Sequence, residues 1–141
     1  MDAKTYLEEV VAPTILEYTN DVTSVRRGFL ACVATFHTVD YLAAPNRPGN
    51  LRKQLRDGSP SFALIDEIAH AFKHVVSSKT GLGVQAVISR PPMIWGQAKW
   101  DLSRWDDEQG GVTLDDDREI DLLAELNSAH EFLNGRVAAS Q

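Results

Sequence analysis

Apolar side chains recur at three- and four-residue spacing along four stretches of this 141-residue chain, a period that fits α-helices and not strands. The first stretch, about Lys4 to Tyr18, carries Tyr6, Leu7, Val10, Val11, Ile15 and Leu16 in register, and Pro13 within it predicts a kink or a break. The second starts from an Asn20 or Asp21 cap and runs to about Leu42, before Ala44-Pro45. Val22, Val25, Phe29, Val33 and Phe36 form its apolar stripe. Residues 46–59 are loop-rich, with a short helix expected over 51–55. A cap at Ser59 or Ser61 opens the third long helix, which reaches about Ser78 with Ile65, Ile68, Phe72, Val75 and Val76 as its apolar face.

The period then changes. Val84 to Ser89 has strand propensity, and with residues 111–114 it predicts a small antiparallel ribbon. A last helix is expected over about 119–133, with Leu122, Leu123, Leu126, His130 and Leu133 on one face and His130 turned inward. The expected fold is mainly α: one domain, residues 1–141, formed as a bundle of four to five helices with a small β-ribbon inserted before the last helix.

Charge narrows the function classes. Asp and Glu outnumber Lys and Arg by 20 to 14, a net charge of -6, which argues against duplex DNA or anionic lipid as the main partner. Cys32 is the single cysteine, so neither a disulfide framework nor a CxxC metal knuckle is available, and a reducing, cytoplasmic setting is expected. The N-terminus lacks the basic start and apolar run of a secretory signal, and the apolar run Gly28 to Phe36 is too short to span a bilayer.

Three polar groupings could carry chemistry. On the second helix Asp40 falls on the apolar stripe, with His37 one turn earlier on its flank. Either the stripe ends there at a wet rim, or the two residues line a polar pocket between helices. On the third helix Asp66, Glu67, His70 and His74 follow one another at helical spacing, with the two imidazoles at i and i+4. The plain expectation is a solvated face; the alternative is part of a site for zinc or a similar divalent metal, using Asp66, Glu67, His70 and His74. Arg47, Arg52, Lys53 and Arg56 make the one locally basic stretch, dense enough to guide an anionic substrate. Trp95, Trp100 and Trp105 recur every five residues and are expected to cover the side of the bundle or a partner surface. No GxGxxG, P-loop or GxSxG element is present.

His37-Thr38-Val39-Asp40-Tyr41, followed some thirty residues later by Ile68 to His74, resembles small bacterial and phage HEPN-like helical proteins. In those, an HxxD element on one helix precedes a KH element on the next long one. The resemblance covers about a third of the chain and carries over residue by residue only to His37, Asp40, Lys73 and His74. It implies a helical domain, self-association as a homodimer, and action on RNA or a nucleotide of the phage-defence or toxin–antitoxin kind. By that resemblance His37 or His74 would be the general acid/base, Asp40 would orient a histidine, and Lys73 would stabilise phosphate charge, without a cofactor. The Arg-x4-6-His element of HEPN nucleases has no counterpart here, since Arg27 stands ten residues before His37. Two other classes stay open: a metal-dependent enzyme using the His/carboxylate cluster, and a non-catalytic protein-interaction module.

Overall fold

Pro13 does not end the first helix. In the computed structural model, which describes residues 1–73, 88–91, 93, 95–96, 98–100, 103, 111–113 and 119–139, Ala3–Tyr6 (α1), a π-helical turn Leu7–Val11 and Ala12–Thr19 (α2) run on without leaving helical backbone. The turn before the proline is widened, and the Ala12 N–H donates to the Leu7 carbonyl five residues back. That extra room takes the pyrrolidine ring, which would otherwise press on the carbonyl four residues earlier. The helix therefore keeps Leu7, Val11, Ile15 and Tyr18 on one buried face.

The next helix, Val25–Ala43 (α3), is capped by Ser24, whose Oγ accepts the Arg27 N–H, and not by Asn20 or Asp21. Asp21 is engaged in the preceding turn, accepting from Thr23 Oγ1 at 2.8 Å and pairing with Arg27 at 3.3 Å. Ala44 is extended ahead of Pro45, which ends the helix where the sequence predicted.

The buried face of α3 differs from the expected stripe. It is made of Gly28, Ala31, Cys32, Thr35, Thr38, Val39 and Ala43, whereas Phe29, Val33 and Phe36 are half-buried and Val25 is exposed. The reason is close approach: a Cβ added at Gly28 would stand 3.2 Å from both Leu122 Cδ2 and Tyr18 Cε2. Small side chains let α3 sit deep against its neighbours, and the large ones are rotated to its flank.

Gly49–Gly58 (α4) is longer than the predicted 51–55 and is anchored by buried Leu55. Ser59 ends it and caps Pro60–Lys73 (α5), accepting the Phe62 N–H at 3.1 Å. Phe62, Ile65, Ile68 and Ala69 bury the core face of α5 against α3 and α6. The expected continuation to Ser78, with Val75 and Val76, lies outside the described residues. Leu122–Ala138 (α6) begins after Asp121, whose Oδ1 accepts the Ala124 N–H at 3.0 Å. Residues 119–120, expected in that helix, are extended instead. The inward face of α6 is Leu122, Leu126, Ala129, Leu133 and Val137, so Ala129 takes the place expected for His130.

Between α5 and α6 the described backbone pairs Ile88–Arg90 (β1), Gly111–Thr113 (β2) and Glu119–Ile120 (β3) antiparallel in the order β1-β2-β3, with Ser89 opposite Val112 and Val112 opposite Ile120. Residues 84–87 and 114 of the expected ribbon lie outside the described residues, as does Trp105. Trp95 and Trp100 are fully or almost fully exposed, so neither covers the bundle. Among the described residues no helix is long and apolar enough to cross a membrane.

Thr35 and Thr38 are wholly buried on α3, and neither hydroxyl has a hydrogen-bond partner among the described residues. Valine has nearly the same shape without the unsatisfied oxygen. Thr35→Val is therefore expected to raise unfolding stability by about 1 kcal/mol in urea titrations. A loss of similar size would show that the hydroxyl is satisfied.

Candidate functional site

On the polar face of α5, Glu67 and His70 keep partial exposure but Asp66 does not. Asp66 is wholly buried, and a carboxylate in that position has to be paired. Its partners come from α4, where Arg52 and Arg56, one turn apart, face it together. Arg52 binds it bidentately, Nε to Oδ2 at 3.0 Å and Nη2 to Oδ1 at 2.8 Å. Arg56 Nη1 donates to Oδ2 from the other side and to the Ala63 carbonyl at 3.4 Å.

His70, one turn along α5, joins this cluster. Its Nδ1 lies 3.0 Å from the Asp66 carbonyl oxygen and 3.1 Å from Oδ1, both acceptors, so the network assigns the proton to Nδ1. Arg52 Nη2 lies 3.1 Å from Nε2 and 3.4 Å from Nδ1, facing the ring. The Arg52 guanidinium also stands 5.2 Å from the centre of the Phe36 ring, close enough for a cation–π contact.

Beside the clasp is a cleft of about 230 Å³ between α3 and α5, lined by Phe29, Val33, Phe36, His37, Ala69 and His70. The stripe expected to fill the core of the bundle is thus the wall of this cleft. His37 and His70 each hold an edge contact with Phe36, with ring centres 5.1 Å away in both cases, so the imidazoles are no more than twice that distance apart. Asp40, on the exposed end of the stripe, holds His37: Nδ1 to Oδ2 is 2.7 Å, with both side chains nearly half exposed.

The sequence-predicted residues therefore divide. His37 and Asp40 form a dyad at the cleft, and Arg52, Arg56, Asp66 and His70 form the adjoining clasp. Arg47 and Lys53 are exposed, in the turn before α4 and on α4 itself. Lys73 is the last residue of α5, one turn past Ala69, and His74 lies outside the described residues. The histidine sharing the cleft with His37 is His70. His130 bonds Asn134 at 3.2 Å on α6, and burial lowers its pKa below the ordinary histidine value. Burial pushes the Cys32 thiol well up, which leaves it a packing residue and not a nucleophile.

For the metal alternative, Asp66 would have to release both guanidiniums, and two cations within hydrogen-bond distance repel a divalent ion. Among the described residues no group of three or more His, Cys, Asp or Glu side chains could hold a metal ion. The reading of the sequence missed the clasp itself. Its signal was the coincidence of two i,i+4 pairs, Arg52/Arg56 and Asp66/His70, on consecutive helices joined at Ser59. Comparison with protein-family models, with curated proteins and with solved structures gives no match.

Removing the charge of Asp66 leaves two guanidiniums facing each other across a buried amide. Asp66→Asn is expected to cost about 2–4 kcal/mol in urea unfolding, somewhat less than a fully buried pair because both arginines keep some contact with water. The exposed Asp57→Asn on α4 should stay within about 0.5 kcal/mol of the parent. Equal stabilities for the two variants would show that the clasp does not hold α4 to α5.

Proposed function

We propose that the chain acts on RNA or a nucleotide, with His37 as the acid–base group and Asp40 as the carboxylate that orients it. One observation carries the reading: His37, held by Asp40, lines a cleft that a second imidazole, His70, also lines, with the Arg52 guanidinium of α4 against His70 and Phe36. With the Nδ1 proton donated to Asp40, Nε2 of His37 is the basic nitrogen, suited to take a proton from an attacking hydroxyl. The guanidiniums beside the cleft supply the positive charge that a phosphoryl group gains from in the transition state. The HEPN-like arrangement of His37, Asp40, Lys73 and His74 supports the same reading. So does the position of Lys73, one turn beyond the cleft residue Ala69.

A second reading, a non-catalytic interaction module, draws on the exposed Trp95 and Trp100. It predicts neither turnover nor charge-dependent binding. Self-association, implied by the resemblance, is compatible with both.

The test is a panel of short single-stranded RNAs and common nucleotides at low salt, followed for binding and for cleavage. Binding that weakens as salt rises, with turnover falling about 100-fold or more in His37→Ala, is expected. No binding and no cleavage across the panel would overturn the proposal in favour of the interaction module.

A further inference from the structure

Arg52 and Arg56 carry more donors than Asp66 uses. Arg52 spends Nε and Nη2 on the carboxylate, with Nη2 also facing His70, and Arg56 spends Nη1. Two cations against one anion leave one positive charge over within this trio. Both side chains remain about a third exposed, at 32% and 36%. A buried carboxylate that fixes two guanidiniums from behind removes most of the side-chain entropy that an anion would otherwise have to freeze out. Arg56 keeps its Nε and Nη2 edge, a fork-shaped donor pair suited to an oxyanion bearing several oxygens, and Arg52 keeps Nη1 beside it.

Arg52 also touches Phe36, a wall of the cleft. An anion seated on Arg52 therefore has the remainder of its molecule at the mouth of a cleft lined by aromatic and aliphatic carbon and by two imidazoles. A volume of about 230 Å³ takes one ring system and its sugar, not a base pair. A ring closed in this way leaves its phosphate as an end group.

We infer that the clasp and the cleft together form a seat for one phosphorylated nucleoside unit, with the phosphomonoester on Arg52 and Arg56 and the base against Phe36 between His37 and His70. Asp66 is the positioning residue. The inference rests on the RNA-or-nucleotide reading above and narrows it from any phosphodiester to a phosphomonoester group. That group can belong to a free mononucleotide or to the end of an RNA strand.

The intact chain is titrated calorimetrically at low salt with the four nucleoside monophosphates, the four nucleosides and inorganic phosphate. A tetranucleotide with and without a terminal phosphate is run beside them. At least one monophosphate is expected to bind about tenfold or more tightly than its nucleoside and than inorganic phosphate. Arg52→Lys and Arg56→Lys keep the charge but lose the fork, and should erase most of that preference while their thermal unfolding stays cooperative.

Should either variant fail to fold, the parent alone decides. Adding the preferred monophosphate should shift the ring proton resonances of both His37 and His70, and leave those of His130 in place. Binding by the phosphorylated tetranucleotide assigns the seat to RNA ends, and binding by the mononucleotide alone assigns it to free nucleotide; both support the inference. Equal affinity for nucleoside and nucleotide, full preference in the lysine variants, or no binding would overturn it. Cleavage of RNA that ignores the terminal phosphate and Arg52→Lys would overturn this inference and leave the proposed function standing. Monophosphate binding without turnover of any substrate would do the reverse.

Discussion

A carboxylate with no exposure to water has to be neutralised where it stands, and in this chain Asp66 does so by drawing two arginines of the preceding helix onto α5. That requirement fixes more than one ion pair. Leu55 is the one side chain of α4 that is fully buried, so apolar packing alone would leave the rotation of this short helix loosely set. The bidentate contact of Arg52, with Arg56 on the other oxygen, sets that rotation and places the cationic edge of α4 against the cleft. The third partner, His70, receives its proton position from the same carboxylate. Whether the arrangement stabilises the fold relative to an apolar alternative is a separate matter, because desolvating the charges offsets much of their attraction. Its effect is to give the polar groups one geometry.

The second constraint is the division of α3 into two faces. Its narrow face, from Gly28 to Ala43, approaches α2 and α6 too closely to admit larger side chains at Gly28. Having spent its small residues on packing, the helix turns Phe29, Val33 and Phe36 toward α5, where they meet Ala69 and His70 across an open cleft. His37 and Asp40 continue that same stripe, and this is how a hydrogen-bonded histidine–carboxylate pair comes to stand beside aromatic carbon. Close packing on one face of α3 and an open cleft on the other are consequences of one rotation.

Much of the fold was legible in the sequence. The 3.6 period located the long helices of the described residues, though α4 runs well beyond the short helix expected in a loop-rich segment, and Pro45 and Ser59 marked boundaries that the backbone respects. The errors have local causes. Pro13 does not break its helix, because a π-turn accommodates a proline without leaving any trace in the apolar spacing. The cap was expected at Asn20 or Asp21 and falls at Ser24, because the engagement of Asp21 with Thr23 and Arg27 depends on a turn geometry that composition does not reveal. The stripe of α3 was correct as a stripe but was placed in the core, since periodicity shows which residues share a face and not how closely the next helix approaches. At the site, His37 with Asp40 could be read from i,i+3 spacing. Asp66 could not, because spacing on α5 alone predicts a solvated face, and the burial arises only when α4 folds back over it. Trp95 and Trp100 were expected to cover the side of the bundle or a partner surface, and their exposure removes the first of these.

The central claim is that Asp66 holds the Arg52 guanidinium in a fixed, hydrogen-bonded position beside the cleft. Nitrogen-detected NMR of arginine Nε–H groups measures this directly. The account predicts that the Arg52 Nε–H resonance exchanges with water much more slowly than that of the exposed Arg47, and that the protection disappears in Asp66→Asn. An Arg52 Nε–H that exchanges as fast as Arg47 in the parent chain would contradict it.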